Sequence, residues 1–451
     1  MGVEVTAETF WCEHAWLDGE VRDSVLVSVN DGLITAIETG GRMADSSGLL
    51  RGLVIPGMAN AHSHAFHRAL RARTQRDRGS FWTWRKLMYQ AAARLTPERY
   101  RALAAAAYAE MAMAGITAVG EFHYLHHDTG GRPYADTNEI GKALVAAASD
   151  AGVRLTLLDT CYLSSGIDGA PLGGGPQQRF GDGSGAAWAE RVDQLRSDVR
   201  AEVQVIVGAA IHSVRAVPVP DMKAVVDWAD AYGAPLHVHS SEQTAEVDEC
   251  LAVHGRTPTA LLRDTGVLGH RTTAVHATHL TDQDIADIDL TATGVCFCPT
   301  TERDLGDGIG PAAALMAGRG LFSLGSDSHA VVDLFEEARA VELDERLARR
   351  ERGIISAAPL LDSATSAGQQ ALGWTGAGVL RVGARADLVA VDLRSMRTAG
   401  GGATAENVVF AASAADVTDV IVDGRRVVVD GRHVDFPDIG DALARAIEEC
   451  R

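Results

Sequence analysis

Short apolar runs separated by stretches of helical spacing fill most of the chain, and this alternation restricts the fold more than any other feature. Runs at 53–55, 116–122, 154–160, 203–209, 234–238, 272–276, 294–297 and 320–324 have the length and composition of buried strands. Between them lie segments such as "PERYRALAAAAYAEMAMAG" and "DMKAVVDWADAYG", whose apolar residues recur every three or four positions. Eight strands alternating with helices predict a (β/α)8 barrel. Such a barrel also accommodates much of a 451-residue chain, which is too long for one ordinary core.

The two ends read differently. "SVLVSVNDGLITAIE" is a pair of alternating runs around Asn30-Asp31-Gly32, a hairpin pattern. "GARADLVAVDL" and "VTDVIVDGRRVVVDGRHV" repeat that pattern near the C-terminus. The expected fold class is therefore α/β, a (β/α)8 TIM-like barrel with a small β-sandwich domain built from both chain ends. Residues 1–56 with 375–451 are assigned to the sandwich and 57–374 to the barrel. The N-terminus lacks a basic start followed by an apolar stretch, so no secretory signal is expected. The apolar stretch 102–119 is interrupted by Glu110 and Gly115, and reads as a buried helix followed by a strand rather than a membrane span.

A net charge of −19 opposes nucleic acid and anionic membranes as partners. Six cysteines without a regular framework point to a reducing cytoplasm. Cys296 and Cys298 alternate within "GVCFCPT" as strand residues do, rather than forming a metal pair. The glycine-rich "SSGIDGAPLGGGPQQRFGDGSG" lacks the Gly-Lys-Ser/Thr of a phosphate loop, and is expected to form a mobile flap over the barrel mouth.

Barrel chemistry belongs at the strand ends. His62 and His64 in "NAHSHAFH" are spaced i, i+2 and share a face. "PLHVHSSEQ" supplies His239 and Glu242 after the fifth run, His276 ends the sixth, and "GSDSH" places Asp327 after the eighth. A lone histidine at a strand end is usually a core or surface residue, and His123, His126, His127, His254, His279 and His329 are read that way. Several strand ends converging on one mouth with imidazoles and a carboxylate make a metal site the stronger reading. Such a donor set suits zinc, with iron or manganese as rivals.

This constellation resembles the amidohydrolase superfamily. "SFWTWRKLMY", "EFHYLHHDTGGRPYAD", "SEQTAEVDEC", "VHATHL", "CPTTERDLGDGI" and "GSDSH" further resemble its formimidoylglutamate deiminases, over roughly residues 54–345. The resemblance implies a metal held by His62, His64, His239 and Asp327, and a catalytic set of Glu242, His276 and Asp327. Two-metal members bridge their ions with a carbamylated lysine at the end of the fourth strand. Here that strand reads "EVQVIVGAAIHS", and the three lysines, Lys86, Lys142 and Lys223, lie elsewhere. One divalent ion is therefore expected, Zn2+ first, with Fe2+ or Mn2+ as alternatives. The implied reaction hydrolyses N-formimino-L-glutamate to N-formyl-L-glutamate and ammonia, a step of histidine degradation. In it Asp327 accepts a proton from the attacking water, His276 assists, and Glu242 protonates the departing nitrogen.

A dicarboxylate approaching so acidic a chain needs local cations. Arg85 in "WTWR" and Arg215 in "IHSVR" are the candidates, because a planar guanidinium forks onto a carboxylate. Tyr124 and His212 would add neutral hydrogen bonds, and these four positions match the substrate-binding positions the resemblance implies. Two positions depart from that pattern: members carry Gln where this chain has His67, and Pro where it has Ile211. His67 is expected to take over the glutamine's contact to a substrate carboxylate, as a neutral ring or as a cation.

Two rival readings stand. Another one-metal deaminase, acting on guanine, cytosine or an aminotriazine, would bind a flat neutral ring and need no pair of arginines. A non-catalytic metal-binding barrel would need no acid/base set. The partners expected are a small dicarboxylate substrate and a second copy of the chain in a cytoplasmic homodimer, with no nucleic acid and no membrane.

Overall fold

The computed structural model describes residues 8–75 and 81–450. The N-terminal residues 1–7 and Ser80 of the "SFWTWRKLMY" motif lie outside the described residues. The chain opens with strands β1 (Glu8–Leu17), β2 (Glu20–Asn30), β3 (Leu33–Thr39) and β4 (Gly48–Pro56). The barrel strands follow: β5 (Met58–Ser63), β6 (Ile116–His123), β7 (Arg154–Cys161), β8 (Val205–Ile211), β9 (Leu236–Ser240), β10 (Thr272–His276), β11 (Gly294–Phe297) and β12 (Phe322–Leu324). β13 (Leu388–Val391), β14 (Val417–Val422), β15 (Arg425–Val429) and β16 (Arg432–His433) close the chain's strand list.

β5 to β12 form one parallel eight-stranded sheet in chain order. Each consecutive pair is joined through at least one helix, which places the helices outside and makes this the expected (β/α)8 barrel. The barrel closes at its mouth. A parallel bridge joins Ser63 to Asp327, the Asp327 N–H donates to the His62 carbonyl at 3.0 Å, and the His64 N–H donates to the Asp327 carbonyl at 3.3 Å. Gly325 makes that approach possible, because a Cβ there would lie 2.7 Å from both the Cβ and the carbonyl oxygen of His62.

The remaining strands form a second, mixed eight-stranded sheet ordered β16-β15-β14-β13-β4-β1-β2-β3, so both chain ends do build one sheet. It is a single hydrogen-bonded sheet with its own core, which includes Phe10, Val27, Leu50, Leu388 and Ile421. Its tight turns are Asp-Gly pairs: Asp31 (φ 49°) with Gly32 (φ 76°), Asp423 (φ 48°) with Gly424 (φ 76°), and Asp430 (φ 49°) with Gly431 (φ 69°). Two consecutive left-handed residues are what a two-residue hairpin turn requires.

One expected strand is reassigned. The run 53–55 lies in β4, where Leu53, Val54 and Ile55 pair with β13 of the second sheet. The first barrel strand is instead β5, entered after Gly57, so His62 sits within that strand rather than beyond it. The stretch 102–119 falls in the helix Pro97–Met113 and in β6, with Gly115 at φ 86° between them. Among the described residues no helix is long and apolar enough to cross a membrane.

Arg154 rivets the two sheets together. This wholly buried β7 side chain forms a bidentate pair with Asp387, one arm at 2.8 Å, and reaches Asp423 at 3.1 Å. Gln369 accepts a further bond from it at 3.2 Å.

Candidate active site

Residues at the C-terminal ends of the barrel strands converge on one cleft that opens to solvent. Four of them occupy the same position on successive strands. His64, Tyr124, Tyr162 and His212 are the first residues beyond β5, β6, β7 and β8. The mouth also concentrates strain: Ser241, His276, Ala277, Asp327 and His329 all have positive φ, between 40° and 69°. Such conformations cost energy and cluster where a side chain must be aimed.

At the floor, His62, His64, His239 and Asp327 meet. His62 Nε2 lies 3.1 Å from His239 Nε2 and 3.4 Å from Asp327 Oδ1, and His64 Nε2 lies 3.4 Å from the same oxygen. The tautomers of two rings are settled by backbone carbonyls. His64 Nδ1–H donates to Phe122 O at 2.8 Å, and His239 Nδ1–H donates to His212 O at 2.8 Å. In the neutral ring both Nε2 atoms then present bare lone pairs to the cluster. Three ring nitrogens and a carboxylate oxygen crowd together with too few protons to join them, so the set fits a divalent cation. Burial, reinforced by the neighbouring imidazoles, holds His62, His64 and His239 well below the usual histidine pKa. Neutral imidazole is the form a metal binds.

His276 stands beside this set, its Nε2 3.9 Å from Asp327 Oδ2 and its Nδ1 3.4 Å from Glu302 Oε1. Burial disfavours its charged form, but Glu242, Glu302 and Asp327 outweigh it and raise the imidazole pKa well above its ordinary value. Burial pushes the Glu242 carboxyl upward as well. Two proton carriers thus flank the metal-type cluster, one on each of two neighbouring strand ends. Glu302 went unassigned in the sequence although it lies in the quoted "CPTTERD". It also caps its own helix start, accepting from Cys298 N–H at 2.9 Å.

Part of the cleft lining is aromatic and cationic. Arg85, from the helix Phe81–Ala92, and Arg215 both direct a guanidinium N–H at the Tyr162 hydroxyl, at 3.4 and 3.2 Å. Arg85 Nε–H also donates to Tyr89 at 2.7 Å. Burial alone would raise the Tyr162 pKa, but Arg215 and Arg85 reverse this and bring it down to about 8. On the Glu242 side, burial and then Glu242 itself push Glu246 up to about 7. The cleft therefore carries guanidiniums and carboxyl groups together, and Arg215 opposes the upward shift of both Glu242 and Glu246.

His67 is 2 % exposed, and its Nε2 shares a 2.9 Å hydrogen bond with the Tyr124 hydroxyl. Burial pushes the His67 pKa down to about 3, which favours the neutral form of the ring. Its Nδ1 has no partner among the described residues. All twelve residues singled out for the site, counting Ile211 beneath it, lie at this mouth. Tyr162, Tyr89, Gln177, Glu246 and Glu302 were not foreseen. Tyr162 carried a usable signal, since it occupies the same first position past a strand as Tyr124 and His212.

The glycine-rich segment after β7 does border the cleft, but its second half is packed rather than free. Arg179, 1 % exposed, donates to the carbonyls of Ala92, of Leu95 at 2.7 Å and of His127 at 2.8 Å. That pins the turn Pro176–Phe180 as part of the wall. His123, His126 and Asp159 form a second buried cluster. Asp159 is already engaged there by both arms of Arg191, at 2.9 and 2.7 Å, and by Trp188 at 3.0 Å.

Comparison with known proteins gives concordant results. A formimidoylglutamate deiminase of Pseudomonas aeruginosa is 41 % identical over 415 residues, covering 89 % of this chain and 90 % of that protein. A 5-methylthioadenosine/S-adenosylhomocysteine deaminase of Pelotomaculum thermopropionicum is 27 % identical, covering 92 % of this chain and 91 % of that one. The crystal structure of an amidohydrolase from Brucella melitensis superposes with a TM-score of 0.91 at 34 % identity, over 98 % of this chain and 99 % of that one. The profile of the "Amidohydrolase family" matches residues 53–427, which takes in the whole barrel, its strand-end histidines and most of the strands that follow. On that match and that geometry, the chain belongs to the amidohydrolase family.

Proposed function

We propose that this chain is a formimidoylglutamate deiminase, hydrolysing N-formimino-L-glutamate to N-formyl-L-glutamate and ammonia with one zinc ion. The observation that carries the reading is the convergence of two arginines on one hydroxyl in the same cleft as the His/Asp cluster. A substrate with two carboxylates and one amidine-like carbon matches that combination of groups. The 41 % identity to the Pseudomonas aeruginosa enzyme supports it. The relatives that deaminate adenosine derivatives are more distant at 27 %, and a purine has no carboxylates to meet the arginines.

In this reading His62, His64, His239 and Asp327 hold the ion. When bound, it supplies Lewis acidity that makes water a nucleophile near neutral pH. Arg85 and Arg215 bind the two carboxylates, with Tyr124 and His212 completing the pocket, and so fix the formimino carbon above the cluster. Asp327 directs Oδ1 at the ligand histidines and Oδ2 at His276, which suits it to accept the water's proton while His276 steadies the developing charge. Glu242, its pKa raised, carries a proton to the imino nitrogen so that ammonia departs. The six cysteines are all unpaired and buried, which supports a reducing cytoplasmic setting.

The test is ammonia release from N-formimino-L-glutamate, guanine and cytosine by the purified protein. The reading requires the first to be the preferred substrate by kcat/KM. Preference for either base would replace it with the purine- or pyrimidine-deaminase alternative.

A further inference from the structure

We propose that Tyr162 is the specificity-determining positioning residue of this cleft: its hydroxyl oxygen aligns the Arg85 and Arg215 guanidiniums into a single fork that selects dicarboxylates. The inference rests on the dicarboxylate reading above and deepens it. Three separate segments donate to this one oxygen. Arg85 Nη2 comes from the helix Phe81–Ala92 at 3.4 Å, Arg215 Nη1 from the segment after β8 at 3.2 Å, and Gln177 Nε2 from the turn Pro176–Phe180 at 3.0 Å. The ring that carries the oxygen is 2 % exposed and wedged by Phe180 and His212, with ring centroids at 5.4 and 4.5 Å. An acceptor on so fixed a ring sets the position of whatever donates to it.

The chemistry explains why a phenol suits the place. Two guanidiniums beside each other repel and need an acceptor between them. A carboxylate would neutralise the pair and compete with the substrate for the same donors. A phenol oxygen aligns both arginines through one atom without setting a full carboxylate charge between them. No Asp or Glu among the described residues forms an ion pair with Arg215, whose hydrogen-bond partner is Tyr162. Arg85 has a second anchor in Tyr89, so the two arginines do not depend on Tyr162 equally. Losing the hydroxyl frees Arg215 first, and the fork loses its spacing before it loses its charge.

The experiment compares the zinc-loaded wild type with Tyr162→Phe, which keeps the ring and removes the oxygen. The substrates are N-formimino-L-glutamate and 4-(formimino)aminobutanoate, which lacks the α-carboxylate. Losing hydrogen bonds to charged groups raises KM for the dicarboxylate by roughly 10- to 100-fold. kcat is expected to stay within a few-fold, and the preference for two carboxylates over one to fall by about the same factor as KM rises. Inhibition of ammonia release by glutarate against butyrate reads the same selectivity without chemistry, and Tyr162→Phe should weaken glutarate alone. A purely structural role would lower turnover of both substrates together, and that result overturns the proposal, as does an unchanged KM ratio. A wild type that ignores formiminoglutamate but deaminates a base overturns the functional reading itself, and the inference with it.

Discussion

Replacing His67 probes one of the two positions where this chain is expected to depart from the formimidoylglutamate deiminase pattern. The ring is buried and neutral, its Nε2 is 2.9 Å from the Tyr124 hydroxyl, and it packs edge-on against Trp84 with centroids 4.9 Å apart. His67→Ala leaves the Tyr124 hydroxyl, 3 % exposed, without that partner. An orphaned buried polar group costs about 1–3 kcal/mol, which corresponds to roughly a 5- to 150-fold loss in kcat/KM if Tyr124 must be aimed at the substrate. His67→Gln restores a donor and an acceptor at similar reach, so its loss should stay under about 1 kcal/mol, roughly five-fold. Steady-state ammonia release from N-formimino-L-glutamate measures these ratios, and elemental analysis of the same samples measures metal content. Both variants should keep the wild-type metal content on the proposed assignment, in which His62, His64, His239 and Asp327 hold the ion and His67, although close to His64 and Asp327, bonds to Tyr124. Loss of metal in His67→Ala would make it a ligand. Wild-type kcat/KM in the alanine variant would refute the claim that Tyr124 needs it.

Other consequences follow from the same geometry. Arg215→Ala and Arg85→Ala each remove one partner of a partly buried carboxylate pair, which costs about 2–5 kcal/mol or roughly 30- to several-thousand-fold in substrate affinity; near-normal kinetics on formiminoglutamate would place the arginine concerned outside the pocket's function. Arg154→Met strands the Asp387 carboxylate, 1 % exposed, at the junction of the two sheets, and should cost about 3–5 kcal/mol in a denaturant titration. The double variant Arg154→Met with Asp387→Leu should recover most of that loss, and no recovery would mean that packing rather than the ion pair holds the junction. Glu121, which accepts from Ala65 N–H at 2.8 Å, has its pKa pushed by burial from 4.5 up to about 7. Its folded form therefore holds a proton that the unfolded chain has lost, and stability falls as pH rises from about 4.5 to about 7, by about 3 kcal/mol in all. Glu121→Gln cannot titrate, so the difference in melting temperature between it and the wild type should change across that window and level off above it; a constant difference contradicts the assignment.

The strand-end histidines and the alternation of runs and helices were legible because each is local: spacing in the chain alone states which face a residue takes. The boundary between β4 and β5 was not. Leu53 to Ser63 reads as one continuous buried stretch, yet it changes sheets at Gly57, and only the pairing of Leu53–Ile55 with the distant β13 reveals the change. β5 itself, "MANAHS", carries none of the β-branched residues that mark a strand, because all its side chains are buried in a crowded barrel where small and polar groups fit. Asn60 is an example, fastened to Ser326 at 2.7 Å across 266 positions of sequence. Tyr162 was missed for a similar reason. Its importance comes from donors 15, 53 and 77 residues away, and no window of sequence contains them together. Arg85 and Arg215 were legible as charges demanded by the substrate, but their convergence on one oxygen is a property of the fold.

Which C–N bond of the formimino group breaks can be read from where the oxygen of solvent water ends up. The purified, metal-loaded protein is incubated with N-formimino-L-glutamate in water enriched in 18O, and the products are identified by mass spectrometry. Water attacking the formimino carbon with Glu242 protonating the terminal nitrogen predicts N-formyl-L-glutamate with one 18O in its formyl group, together with stoichiometric ammonia. Formamide and free L-glutamate, or no consumption of the substrate at all, would contradict it.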